Sequence, residues 1–102
     1  MKEICKTYLN EQFGGDADIV QEIYNEYVSS VSGKIGEAET ALAAGDWDAL
    51  DKIAHTIKGN ALAAGDAETA EVGIALRGFA KLQDRENAVE SVNRLKELSA
   101  GL

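Results

Sequence analysis

The chain has 102 residues, of which 10 are Lys or Arg and 18 are Asp or Glu, so its formal net charge is −8. This length allows one domain, residues 1–102, and a hydrophobic fraction of 45% is too high for a disordered chain. A single Cys excludes an internal disulfide framework and the common zinc sites, and the charge argues against binding to nucleic acid. No apolar run suits a signal peptide or a membrane span, so we expect a cytoplasmic chain that does not bind membranes.

The order of turn signals predicts five helices and no strand. Pro is absent from the chain, so long helices are not interrupted. Three breaks (14–16, 45–46 and 65–66) place Gly, which favours helix exit, before an Asp that can cap the next helix, and Gln83-Asp84 is a weaker break. The predicted helices are residues 3–12, 17–44, 46–64, 66–82 and 85–100.

The four longer segments each carry an apolar stripe at helical spacing. In chain order the stripes are Ile19, Ile23, Tyr27, Val31, Ile35, Ala38 and Leu42; Leu50, Ile53, Ala54, Ile57, Ala61 and Ala64; Val72, Leu76, Phe79 and Leu82; and Ala88, Val92, Leu95 and Leu98. Short connections make sequence neighbours antiparallel, so the stripes would be buried together. We therefore predict an all-α fold, an up-down antiparallel four-helix bundle with a short extra N-terminal helix.

The one histidine of the chain, His55, lies within the helix predicted for residues 46–64. On a helical wheel it points away from the apolar stripe, so we expect it to face solvent. Lys52 and Lys58 lie three residues before and after it, and Gly59 and Leu62 follow on the same face. An exposed imidazole is a nucleophile near neutral pH, lysines neutralise phosphoryl oxygens, and a glycine leaves room for a partner to approach.

This set of residues favours a phosphoryl carrier over an enzyme. The sequence shows no second His, no Gly-rich phosphate loop and no carboxylate cluster for Mg²⁺. A partner would therefore have to supply the metal and the catalytic groups, and we expect no cofactor and no metal site in this chain. We assign Gly73 and Gly78 to helix packing, and we expect Cys5 to be a buried, unreactive side chain.

Residues 55–61, His-Thr-Ile-Lys-Gly-Asn-Ala, resemble the His-x-x-Lys-Gly signature of histidine-containing phosphotransfer (HPt) domains of multistep phosphorelays. Residues 43–47, Ala-Ala-Gly-Asp-Trp, are also similar to that family. The resemblance implies that His55 is the phosphoacceptor, that Lys58 stabilises the phosphoryl group and that Gly59 admits the partner's active site. The partners it implies are the receiver domain of a response regulator, a hybrid histidine kinase, or both.

The surface around the histidine is the predicted docking site, and its residues are Lys52, Gly59, Leu62 and Ala63. We expect a monomeric, stand-alone carrier; the alternative is an excised piece of a hybrid kinase, and the phosphoacceptor domain of chemotaxis kinases looks similar around the His. The alternative function is an acidic helical interaction module. Such a module would bind a receiver or kinase through the Leu62 face without relaying phosphate.

Overall fold

Aspartate side chains cap the N-termini of four of the five helices in the computed structural model, which describes residues 1–102. Asp16, Asp46, Asp66 and Asp84 each accept a hydrogen bond from a backbone N–H in the first turn of the following helix. The helices are α1 (Glu3–Gln12), α2 (Ala17–Ala44), α3 (Trp47–Ala63), α4 (Ala67–Lys81) and α5 (Arg85–Ala100). The predicted boundaries therefore hold to within one residue at each end, and no strand is present.

The residue before each capping aspartate has a left-handed backbone. Gly15, Gly45 and Gly65 have φ of 75°, 68° and 74°, which glycine adopts without strain. At the weaker break, Gln83 takes this role with φ of 53° and is the only residue other than glycine with positive φ. The local signals that divide the sequence are thus the ones that end the helices.

The length of α2 sets the long dimension of the molecule. Its 28 residues span about 42 Å at 1.5 Å per residue, which matches the longest principal extent of 43 Å. Contacts run from α2 to α3, from α3 to α4, from α4 to α5 and from α5 back to α2, while α1 packs against α2. No helix is both long enough and apolar enough to cross a membrane.

The buried face of α2 differs from the predicted stripe near its beginning. Val20 and Tyr24 are buried there, whereas Ile19 is 44% exposed and Ile23 is only partly buried. Each step of four residues turns an α-helix by about 40° more than a full turn. The three steps from Val31 back to Ile19 therefore rotate the predicted stripe by about 120° away from the buried face. The rest of the predicted stripe is buried.

The core face of α4 also differs, because small residues occupy it. The buried residues are Thr69, Ala70, Gly73, Leu76 and Ala80, of which only Leu76 was predicted. Val72 and Phe79 lie at the edge of the core, and Leu82 is 76% exposed beyond the end of the helix. In α3 and α5, Ile53 and Leu98 are only partly buried, and the other predicted residues are buried. Eight of the 21 buried core residues are Ala. Choosing the large hydrophobic side chains therefore did not identify the buried face of α4.

The carboxylate of Asp66 is fully buried between α1, α2 and α4. Its Oδ1 lies 2.7 Å from Nζ of Lys2, and its Oδ2 accepts hydrogen bonds of 2.7 Å from the hydroxyls of Tyr27 and Thr69. Lys2 also donates its backbone N–H to the hydroxyl of Tyr24 at 3.1 Å. No buried side-chain polar atom in the protein lacks a hydrogen-bond partner.

These contacts set the ionisation of the buried groups. Burial alone would raise the pKa of Asp66, but hydrogen bonds from Lys2, Tyr27 and Thr69 outweigh it and hold the pKa below the ordinary value. Burial and then the bond to Asp66 raise the pKa of Tyr27. Burial, with the charge of Asp66, raises the pKa of the Cys5 thiol to about 11, and Cys5 is fully buried as predicted.

The Asp66 network predicts acid sensitivity. A carboxylate whose pKa is lowered in the folded state stabilises the protein above the pKa of the unfolded chain, about 3.9, and this stabilisation is lost as the pH falls through the folded-state pKa. We expect Asp66→Asn, which keeps the shape but not the charge, to lower the free energy of unfolding by about 1–3 kcal/mol at pH 7.

The difference between the two proteins should shrink as the pH falls below about 4. Urea unfolding of both proteins at pH 7, 5, 4 and 3 measures this difference, and the paired comparison cancels the other carboxylates. A difference that stays constant down to pH 3 would show that the charge of Asp66 does not stabilise the fold.

Candidate functional site

His55 lies on the solvent side of α3. The core side of this helix is formed by Leu50, Ala54, Ile57 and Ala61, all of them buried, and His55 is exposed. The sequence-based prediction that the histidine faces solvent is therefore confirmed. Its ring is accessible to another molecule, as a nucleophile has to be.

A side chain from α4 contacts the imidazole. Nη1 of Arg77 lies 3.2 Å from Nδ1 of His55, and Nε of the same guanidinium donates to Oδ1 of Asp51 at 2.9 Å. Asp51 lies one turn before His55 on α3. The three side chains form a chain of contacts, Asp51 to Arg77 to His55, across the surface between the two helices.

The predicted neighbours of the histidine all lie on α3. Lys52 is exposed and Lys58 is partly buried, and neither forms an ion pair within the protein. Gly59 is exposed, and a Cβ placed on it would meet no atom within 4 Å. Lys52 and Lys58 are each three residues from His55 along α3, and Arg77 contacts the ring, so cationic residues lie near the imidazole on an otherwise acidic protein, which suits an anionic ligand.

The two remaining docking candidates lie further along α3. Leu62 is 52% exposed and lines a shallow groove with Ile4 and Tyr8 of α1. Ala63 is exposed and lines a second groove on the side of α2, with Ile23 and Tyr27. The four docking candidates are thus accessible to a partner along one helix.

The two glycines assigned to packing behave differently. A Cβ on Gly73 would lie 3.3 Å from the backbone N of Lys58 and 3.4 Å from the carbonyl oxygen of Ala54, so this glycine brings α4 close to α3. Gly78 is exposed, and nothing lies within 4 Å of its Cβ position, so its assignment to packing was wrong. Five residues turn an α-helix by about 140° beyond a full turn, so Gly78 lies on a different side of α4 from Gly73, away from the contact with α3.

Arg77 and Asp51 are the site residues that the sequence analysis missed. The signal was the turn at Gly65, because residues at similar distances on either side of a helical turn face each other. His55 lies ten residues before Gly65 and Arg77 twelve residues after it. The predicted turn at Gly65 therefore already indicated that Arg77 would face His55. No group of three or more His, Cys, Asp or Glu side chains is placed to hold a metal ion.

One of three comparisons with known proteins identifies a family for this chain. Residues 22–102, which include α3 and α4, match the sequence model of the Hpt domain family. The chain therefore belongs to the Hpt domain family, whose members are phosphocarrier modules of phosphorelays and interact with receiver domains and histidine kinases. A search of curated proteins found no match, and a search of solved structures found none.

The contact at Gly73 yields a stability prediction. Gly59→Ala and Gly73→Ala each add one methyl group to a helix interior and gain the same helix propensity, up to about 1 kcal/mol. We expect Gly59→Ala to stabilise the protein by about 0.5–1 kcal/mol, since the new methyl meets open space. We expect Gly73→Ala to be at least about 1 kcal/mol less stable than Gly59→Ala, because the backbone of α3 has to move.

Denaturant unfolding of the two variants measures the difference directly. The propensity gain cancels in the comparison, so the remainder reports the contact between α3 and α4. Equal stabilities would mean that the two helices separate at no cost.

Proposed function

We propose that this chain is a phosphoryl carrier in which His55 accepts a phosphoryl group and passes it to or from the aspartate of a receiver domain. The observation that carries the proposal is the exposure of the one histidine, on α3, within the segment that matches the Hpt domain family. Members of this family carry phosphoryl groups, and no other side chain of the chain combines an exposed position with the nucleophilicity of imidazole near neutral pH.

Lys58 is the residue that stabilises the phosphoryl group in this proposal. It lies three residues after His55 on the same helix face and has no ion-pair partner that would compete for its charge. A point charge within one helical turn of the histidine would offset part of the negative charge of a phosphoryl group. Lys52, three residues before His55, would act in the same way when a partner is docked.

Docking requires a flat approach to the histidine. Gly59, one turn after His55, offers a surface without a side chain, and the exposed Leu62 and Ala63 follow it along α3, at the grooves beside α1 and α2. A receiver domain or a hybrid histidine kinase would bind here and bring its own acidic groups and Mg²⁺, since phosphoryl transfer depends on positioning and charge neutralisation. The chain would thus carry the group without catalysing the transfer by itself.

The wider architecture belongs to the same proposal. The closed order of contacts among α2, α3, α4 and α5 supports an up-down antiparallel four-helix bundle, with α1 as the extra helix. The proposal treats residues 1–102 as one domain that acts as a monomer, and it includes the cytoplasmic location expected from the sequence.

His55→Gln tests the phosphoacceptor. Phosphoramidate phosphorylates accessible histidines without a protein partner, so intact-mass spectrometry should show one acid-labile phosphoryl group on the wild type and none on the variant. Because His55 is exposed, the free energy of unfolding should change by less than about 0.5 kcal/mol. An unmodified wild type, under conditions that modify a histidine in a short peptide, would contradict the proposal and favour a pure interaction module.

Gly59→Gln tests the docking surface separately from the chemistry. The added side chain is at the partner-facing surface, so we expect transfer from a phosphorylated receiver domain to fall at least about tenfold, the effect of roughly 1.4 kcal/mol. Phosphoramidate is small and should modify the variant at nearly the wild-type rate.

The matched control is Gly36→Gln, which adds the same side chain to open space on α2, in the groove facing α5. The receiver is chosen from a panel as one that exchanges phosphoryl groups with the wild type. Wild-type transfer by Gly59→Gln would contradict the docking assignment.

A further inference from the structure

The direction of the hydrogen bond between Arg77 and His55, from donor to acceptor, determines which ring nitrogen carries the proton of the neutral imidazole. A guanidinium has only N–H donors and no acceptor, so the 3.2 Å contact between its Nη1 and Nδ1 of His55 is a hydrogen bond donated by arginine. The acceptor Nδ1 must therefore hold a lone pair. In the neutral ring the proton is then on Nε2.

The guanidinium is held in place from its other side. Nε of Arg77 donates to Oδ1 of Asp51 at 2.9 Å, and Asp51 is on α3, as is His55. This ion pair aims Nη1 at the imidazole, and no hydrogen bond or ion pair joins Arg77 to a third helix. No hydrogen bond within the protein reaches Nε2, which is thus the ring nitrogen left for another molecule.

The resulting tautomer is the unreactive one for that nitrogen. A nitrogen attacks phosphorus with its lone pair, and in the Nε2–H form the lone pair is on Nδ1, where Arg77 occupies it. The residue that contacts the histidine therefore opposes the reaction at the accessible nitrogen.

We propose that Arg77, held by Asp51, is a positioning residue that keeps neutral His55 in the Nε2–H tautomer and so slows both the arrival and the loss of a phosphoryl group at Nε2. The part that concerns the phosphoryl group rests on the proposed function. A docked partner with a carboxylate for the guanidinium would release this restraint, which would reserve fast transfer for the bound state.

Phosphorylation of His55 starts from the Nε2–H tautomer. Arg77 leaves Nδ1, water moves the ring proton from Nε2 to Nδ1, and the lone pair of Nε2 attacks the phosphorus of the donor. The bond from phosphorus to the donor atom breaks, and its electron pair stays with that atom. The Nδ1 proton of the product then passes to water, and Nδ1 again accepts a hydrogen bond from Arg77. Because loss of the phosphoryl group is easiest when Nδ1 is protonated, the same hydrogen bond prolongs the phosphorylated state.

The first measurement is the tautomer itself. With one histidine in the chain, a two-bond ¹H–¹⁵N correlation spectrum of ¹⁵N-labelled protein at about pH 9, where imidazole is neutral, has one unambiguous pattern. We expect the wild type to show the Nε2–H form alone. Arg77→Met, which keeps the aliphatic stem and removes the donor, should show the mixture of tautomers that free imidazole side chains have, whereas Arg77→Lys should restore part of the wild-type pattern.

The second measurement is the rate of phosphorylation by phosphoramidate and of hydrolysis afterwards. We expect both rates to rise about two- to tenfold in Arg77→Met, as for the loss of one hydrogen bond. Asp51→Asn, which loosens Arg77 but leaves it present, should change the rates in the same direction and by less. If Arg77 acted instead by attracting the donor, Arg77→Met would be slower than the wild type.

Arg94→Met is the matched control. Arg94 is an exposed arginine with a carboxylate partner, Glu97 at 3.2 Å, and it lies on α5, which does not contact α3. It should match the wild type in both measurements, and thermal unfolding shows that each variant is folded.

The two proposals fail in different ways. A wild type that carries its proton on Nδ1, or an Arg77→Met variant with the wild-type tautomer and rates, would overturn the role of Arg77. A wild type that is never phosphorylated would overturn the proposed function and with it the effect of Arg77 on the phosphoryl group, although the tautomer would still be measured on the unmodified protein.

Discussion

The buried carboxylate of Asp66 ties together the start of α1, the middle of α2 and the start of α4. It caps α4, and it binds Lys2 before α1 and Tyr27 on α2. A buried charge is tolerated only where its partners satisfy it, so each of these elements has to be placed with respect to the turn between α3 and α4. The same turn determines which residues of α3 face which residues of α4, including His55 and Arg77. The structural network and the site are therefore linked through one short segment.

The same five residues, Leu-Ala-Ala-Gly-Asp, occur twice in the chain, at 42–46 and 62–66, with different results. Both aspartates cap a helix, but Asp46 is exposed and Asp66 is buried. Capping needs only backbone N–H groups in the next turn, so it follows from local sequence. Burial of Asp66 needs a lysine and a tyrosine from 64 and 39 residues away, and no local pattern could show that these would arrive.

This difference separates what could be predicted from what could not. Helix boundaries followed from Gly and Asp at the breaks, and the outward position of His55 followed from the wheel of a single helix, because both depend on neighbours along the chain. The core face of α4 did not follow, because the contact with α3 is made by the small residue Gly73 and hydrophobicity points to Val72 and Phe79. Arg77 was missed for the related reason that a polar contact between two helices depends on their register.

A ligand at His55 meets the charges beside the ring more strongly than the net charge of the whole molecule. The net charge of −8 would repel an anionic donor, yet Lys52 and Lys58 lie within one turn of the histidine and Arg77 touches it. The Cβ atoms of helix neighbours three residues apart are about 5–6 Å from each other, which is less than the screening length of about 8 Å at physiological ionic strength. Charges on the far side of the molecule are screened. Asp51 reduces the local positive charge, but its contact is with Arg77 and leaves both lysines unpaired. An acidic protein can thus present a cationic site, because the ligand responds mainly to the charges within one screening length of the ring.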